Sequence, residues 1–287
     1  MITIPVLILR GYAALLGAVV GSFLTTCIHR WPMGGSVTTP RSHCPHCTAT
    51  IEWHDNIPIL SYLILRGRCR GCDQRISPLY PLVELTTSLI WLGTVVHLGG
   101  GFEALRISIF LTLLLGIALT DARHLVIPVY FSLGGMVLGI LLALTTTGLG
   151  ELIDPNQFSS GVRYWALHLL TSEAPPVYRA LTGALIGYVL MRFVGWGGER
   201  LFRKPALGMG DVQMMALVGA FLGPAGALLT IMIGASLGLL IGVPVTWLRR
   251  GSIQLGSTYL PLGTFLAIAA ALTNAWGDDF ISWYMSW

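Results

Sequence analysis

Long apolar stretches alternate with short segments rich in Gly, Pro and charge along the 287 residues of the chain. A helix that crosses a bilayer needs roughly 17 to 25 mostly apolar residues. That template predicts about eight transmembrane helices: Leu7 to Ile28, Pro81 to His97, Leu105 to Thr120, Leu125 to Thr147, Val177 to Val194, Val212 to Leu222, Ala225 to Leu248 and Tyr259 to Trp276. The third and sixth fall short of a full crossing, which suggests tilted neighbours, a thinned bilayer or a water-filled cavity beside them. The expected class is an all-α polytopic membrane protein. Its expected divisions are a first helix over 1–29, a small soluble segment over 30–79 and a helical core over 80–287.

Composition fits this pattern, because 54% of the residues are hydrophobic and only 10% are charged. Orientation follows from Lys and Arg in the connections. With simple alternation, Arg30, Arg66, Arg123, Arg200, Lys204 and Arg250 fall on one side, against Arg10, Arg106, Arg163 and Arg179 on the other. The first side reads as cytoplasmic and the N-terminus as periplasmic. No Ala-x-Ala site follows the first apolar run, so it reads as a retained span. The inner-face bias accounts for the formal charge of +4, which gives no separate sign of nucleic-acid binding.

Two acids stand where such a chain should avoid them. Asp121 closes the apolar stretch Ile107 to Thr120, and Asp211 lies in Ala206-Leu-Gly-Met-Gly-Asp-Val212. Ionisable groups at membrane depth cost roughly 3 kcal/mol on insertion scales, and such residues mark functional sites by default. Alternation brings both to the same face. Two adjacent carboxylates titrate as a coupled pair, one protonated and one ionised, which suits the activation of water on a peptide carbonyl. Gly208 and Gly210 lack a Cβ and allow backbone to turn tightly beside an extended substrate. The plainer account of Gly-x-Gly-Asp is a helix-packing glycine pair with a structural acid.

Four of the five cysteines lie in the soluble segment, as Cys44-Pro-His-Cys47 and Cys69-Arg-Gly-Cys72. Paired Cys-x-x-Cys turns offer two sulfurs each to a tetrahedron, so Cys44, Cys47, Cys69 and Cys72 read as a structural zinc site. Disulfides are the alternative, which a reducing cytosol disfavours. His43 and His46 read as solvated loop residues and Cys27 as a small buried apolar one. A segment this small has little core, so metal binding would supply much of its folding free energy. Ile51 to Leu63 could line a surface pocket or pack its apolar side on the membrane.

The opening Gly21-Ser-Phe-Leu-Thr-Thr-Cys-Ile-His-Arg-Trp-Pro32, the run Cys44 to Glu84, the segment Asp121 to Pro128 and Gly-Met-Gly-Asp211 together resemble the type IV prepilin peptidases. The resemblance spans nearly the whole chain and is strongest from Asp55 to Cys72 and over Tyr80-Pro-Leu-Val-Glu84. It implies an inner-membrane aspartic endopeptidase of type IV pilus or type II secretion systems. Such an enzyme cuts the leader from prepilins or pseudopilins at the cytoplasmic face, usually between Gly and Phe. Members with the cysteine segment commonly also methylate the new N-terminus with S-adenosylmethionine. The family's catalytic aspartates fall on Asp121 and Asp211.

The chain departs from the family at three points: Gln213 stands where Lys is usual, Val129 where Asp commonly follows the Leu-Pro, and Thr25 where Asn is usual. Loss of the cation at 213 bears on how firmly either aspartate is held ionised. Glu84, near a membrane boundary, is a candidate for cofactor or substrate binding, or a complement to a helix N-terminus. Between Glu151 and Pro176, Trp165 and Leu169 suit an interfacial anchor, while a plain loop is the simpler account. Two other classes stay open: a proton-coupled transporter, which would place the acids near the bilayer midplane, and a zinc-knuckle scaffold without chemistry. The partners expected are prepilin and lipid, with no nucleic acid; the oligomeric state is not legible.

Overall fold

The computed structural model describes residues 4–146, 175–204, 207–242, 244 and 261–285. The Trp165 and Leu169 anchor, Arg163, Arg250 and the expected helix start at Tyr259 lie outside the described residues. The helices are α1 (Ile4–Arg30), α2 (Leu60–Ile64), α3 (Leu79–Leu98), α4 (Phe102–His124), α5 (Val129–Thr146), α6 (Pro176–Phe202), α7 (Met209–Leu237) and α8 (Leu262–Met285). Among the described residues the only β pairing is two isolated bridges in the soluble segment. Among the described residues, six helices, α1 and α3 to α7, are long and apolar enough to cross a membrane, and α8 adds a shorter apolar stretch, Leu262–Gly277. The protein is an all-α polytopic membrane protein. The chain clusters into two compact units, Met1–Thr112 and Leu113–Trp287.

In the first unit, Thr25, Thr86 and Thr87 bond carbonyls of their own helices, while other polar groups bond across the helix contacts, where water is scarce. Ser88 Oγ of α3 donates to the Ala14 carbonyl of α1 at 2.8 Å. Trp91 Nε1 of α3 donates to Thr112 Oγ1 of α4 at 3.1 Å, and the Thr94 and Ser108 hydroxyls bond at 2.5 Å.

In the second unit the contacts fix the directions of α5, α6 and α8 relative to α7. Ser132 Oγ of α5 donates to Gln213 Oε1 of α7 at 3.3 Å, and Gly135 and Gly139 face Leu217 and Phe221, so α5 runs parallel to the first part of α7. Gly183 faces Gly219 and Gly187 faces Met215, so α6 runs antiparallel to the same part. Thr230 Oγ1 donates to Thr273 Oγ1 at 3.2 Å, while Gly234 and Gly238 face Leu266 and Leu262; α8 is antiparallel to the later part of α7. Gly210 and Gly263 both close on Ile127. A straight helix would hold residues 210 and 238 about 42 Å apart, yet both lie at the end where α8 begins.

Therefore α7 doubles back. Gly223, at φ 75° and ψ −176°, takes a backbone open to glycine, and Pro224 follows. The arms 209–222 and 224–237 are the sixth and seventh segments expected from hydropathy, divided where the sequence suggests. The first arm is short, about 21 Å against a hydrocarbon core of roughly 30 Å. The third expected segment is different: α4 is 23 residues long, with Asp121 inside its last turn instead of beyond its end. Polar residues at a helix C-terminus continue the hydrogen-bond ladder, and the basic Arg123 and His124 suit that end of the dipole.

The crossing of α6 and α7 is close enough to be tested. A Cβ on Gly219 would collide with the Gly183 carbonyl, and one on Gly183 with that of Gly219, so neither neighbour can yield by rotating a side chain. Gly219→Val should destabilise the protein by about 1 to 3 kcal/mol or more, whereas Gly134→Ala, with open space around it, should be neutral. Thermal denaturation in micelles measures both, and an unshifted Gly219→Val midpoint would disprove this packing.

Candidate active site and metal centre

Asp121 is held by the helix that ends just after it and by the helix that begins beside it. Leu125, in the left-handed region at φ 53°, stops α4 with its N–H donating to the Asp121 carbonyl at 2.9 Å. Asp121 is 6% exposed. Its Oδ2 accepts the Thr264 N–H at 2.8 Å and the Thr264 hydroxyl at 3.2 Å, and the Gly263 amide also faces it. These donors form the first turn of α8, where helix amides lack internal partners.

Asp211 is the third residue of α7. Gly208 is the N-cap, with extended backbone (φ −70°, ψ 141°), and its carbonyl accepts the Asp211 N–H at 3.1 Å. The Gly208 amide in turn reaches the Asp211 carboxylate, as in a capping box. Gly210 has room only for hydrogen, because a Cβ there would stand 2.9 Å from Ile127 Cβ. Ile127 thus packs against the starts of α7 and α8 together, and the charges of Asp121 and Asp211 interact. The two acids expected on one face lie at the same end of the second unit, near enough for their charges to act on each other. Gln213, two residues on, holds Ser132 of α5. Thr264, Gly263 and Ile127 were not singled out in the sequence, although Pro261 and Thr264 opening an apolar run are a helix-start signal.

Two knuckles with one hydrogen-bond pattern build the cysteine cluster. The Cys44 N–H donates to the Ala49 carbonyl at 3.0 Å and the Thr48 N–H to the Cys44 carbonyl at 2.9 Å. In the second knuckle, Cys69 N–H to Gln74 is 2.9 Å and Asp73 N–H to Cys69 is 3.0 Å. Thr48 and Asp73 occupy the matching left-handed positions, at φ 58° and 56°. The four sulfurs lie within 4.8 Å of one another, with Cys44 to Cys72 at 3.8 Å and Cys47 to Cys69 at 4.0 Å. A tetrahedron with zinc–sulfur bonds of about 2.3 Å has edges of about 3.8 Å, so the donor set fits a tetrahedral thiophilic metal. The backbone amides of Cys47 and His46 pull the Cys44 thiol down to about 6, while, against the pull of the Gln74 amide, burial and the neighbouring thiols push Cys72 up to about 12, so the four sulfurs titrate as one coupled group. His43, bonded to the Arg41 carbonyl, and His46 stay out of the cluster, and Cys27 is buried in α1.

The stretch between the knuckles is tied at both ends. Arg70, between Cys69 and Cys72, grips Asp55 through two bonds of 2.7 Å and holds its carboxyl below the usual range. Glu84, 8% exposed in α3, accepts the N–H of Ile59 at 2.7 Å. Ile59 sits at φ 62°, a costly conformation for a β-branched residue. The Glu84 carboxylate therefore anchors the soluble segment to α3.

Residues 15–98 match the model of the bacterial peptidase A24 N-terminal domain, and residues 108–243 that of the type IV leader peptidase family. A type 4 prepilin-like proteins leader peptide-processing enzyme of Escherichia coli is 32% identical, with 90% of each chain covered. This chain belongs to the type IV leader peptidase family. A prepilin leader peptidase/N-methyltransferase of Pseudomonas putida is 32% identical, covering 93% of this chain and 90% of that one. One of Myxococcus xanthus is 36% identical over 79% of this chain, but the match spans only 60% of that relative's length. No solved structure matches. The two family models meet between residues 98 and 108, near the division of the compact units at Thr112.

Proposed function

We infer that this member of the type IV leader peptidase family is an aspartic endopeptidase that removes the leader of prepilins or pseudopilins, and that it methylates the new N-terminus. The observation that carries the peptidase reading is the meeting of Asp121 and Asp211 where α4 ends and α7 begins. Both acids lie in terminal turns, which suits chemistry at a membrane face, whereas a proton relay would need them near mid-helix. Arg123, Arg200, Arg203 and Lys204 lie on helix ends of this same side, so the positive-inside rule favours a cytoplasmic active site in an inner membrane.

One carboxylate accepts a proton from water as its oxygen adds to the scissile carbonyl, while the other, protonated, donates to the carbonyl oxygen. The gem-diol then collapses as the first acid protonates the amine, the C–N bond breaks and the second recovers its proton. Cys44, Cys47, Cys69 and Cys72 would hold zinc, whose part is to fold the soluble segment. S-adenosylmethionine would supply the methyl group.

The direct test is mass spectrometry of a prepilin incubated with purified chain and S-adenosylmethionine. Loss of the leader and gain of one methyl group are expected; an intact prepilin would end the peptidase reading. The two activities should also separate. Methyl transfer needs an amine positioned against a sulfonium and no shared proton, so Asp121→Asn should methylate a precleaved pilin within about twofold of the wild-type rate. Transfer of labelled methyl measures this, and its absence from the wild-type chain would leave a peptidase alone.

A further inference from the structure

We propose that Thr264 is a positioning residue that commits Asp121 to the base role of the pair and leaves Asp211 as the proton donor. The proposal rests on the peptidase reading. The family resemblance leaves the two aspartates equivalent, but their surroundings differ. One oxygen of Asp121 takes both the amide and the hydroxyl of Thr264, at 2.8 and 3.2 Å, beside the Gly263 amide, whereas Asp211 meets the Gly208 amide. Donors converging on a carboxylate favour its charged form, and the positive end of α8 adds to them.

The single proton of the Thr264 hydroxyl is shared between Asp121 Oδ2 and the Ala118 carbonyl, one turn before it, each at 3.2 Å, which keeps the hydroxyl beside the carboxylate. Among the described residues, the ionisable groups that α6 brings to this end, Glu199, Arg200, Arg203 and Lys204, lie at partly or fully exposed positions. Asp211 faces Asp121 from α7, and Gln213 beside it is neutral. The first turn of α8, Leu262 to Phe265, is uncharged, and that of α5 carries only the exposed Tyr130. On α4, Arg123 and His124 follow Asp121 at partly or fully exposed positions.

With this assignment the water proton passes to Asp121 and the oxygen adds to the carbonyl carbon. Asp211 gives its proton to the carbonyl oxygen. Asp121 then passes its proton to the departing nitrogen, and Asp211 recovers one from the gem-diol as the carboxylic acid forms.

The test is the pH dependence of kcat/KM for leader cleavage. Thr264→Val keeps the amide and removes the hydroxyl, so the acid limb should move to higher pH by about one unit, a roughly tenfold loss below the limb, with the plateau largely kept. Thr264→Ser should retain the wild-type profile. Thr264→Ala adds no bulk and must show the same displacement, which guards against a misfolded Val variant. An unmoved acid limb in Thr264→Ala, or a uniform fall at every pH, would overturn the assignment. Cleavage that survives loss of either aspartate would instead defeat the peptidase reading itself.

Discussion

Asp121→Asn and Asp211→Asn should each lower single-turnover cleavage of a purified prepilin by about 10⁴-fold. The pair acts as one unit, so removing either member forfeits nearly the whole chemical step, and the double variant should be little worse than either single one. Asn has the shape of Asp, and its carbonyl oxygen can still accept the Thr264 amide and hydroxyl that Asp121 receives. Loss of activity should therefore come without loss of fold, and metal content and denaturation midpoint should stay near wild type. More than a few per cent of residual activity in either variant would remove these aspartates from the catalytic assignment.

What the sequence makes legible is what depends on local pattern. Apolar runs of membrane length mark the helices, and Gly223-Pro224 marks the division between the arms of α7, because glycine opens the left-handed region and proline ends a ladder. Two Cys-x-x-Cys turns specify two knuckles whose hydrogen bonds repeat each other. The proximity of Asp121 and Asp211 was legible from alternation, since successive crossings return the chain to the same face.

Three features were hidden for a common reason. Thr264 reaches Asp121 across 143 residues, Ile127 packs between the starts of two helices, and Glu84 holds a backbone amide 25 residues before it. Each is a tertiary partnership between positions with no periodic relation. An ordinary Thr in the first turn of a helix reads as a start signal, and only the packed structure shows which acid its free donors serve. Glu84 was weighed as a contact for cofactor or substrate or as a complement to a helix dipole, and the partnership that the pattern could not show is the Ile59 N–H on its Oε2. The end of α4 was misread because charge was taken as the limit of the helix, when Asp121, Arg123 and His124 form its last turn.

Purified chain should carry about one zinc per molecule, and replacing Cys44 and Cys69 with Ser should remove it. The soluble segment has little else to hold it: Trp53, Leu63 and Ile64 are exposed, so burial contributes little there. A bound metal would draw the two knuckles together, while Arg70 in the second clamps Asp55 and Glu84 pins Ile59 in its left-handed backbone. Without the metal Cys69 and Cys72 are unconstrained, Arg70 loses its fixed place, and the strained stretch 55–61 keeps only its tie to α3. The apo segment should become sensitive to limited proteolysis over 42–75, and methyl transfer should fall at least as far as cleavage, because the aspartates stand on helices of the other compact unit. Elemental analysis, proteolysis and both rates, measured on the same preparation, test the chain of dependence. Unchanged metal content in the double Ser variant would refute the site, and normal methyl transfer by a zinc-free chain would refute its structural role.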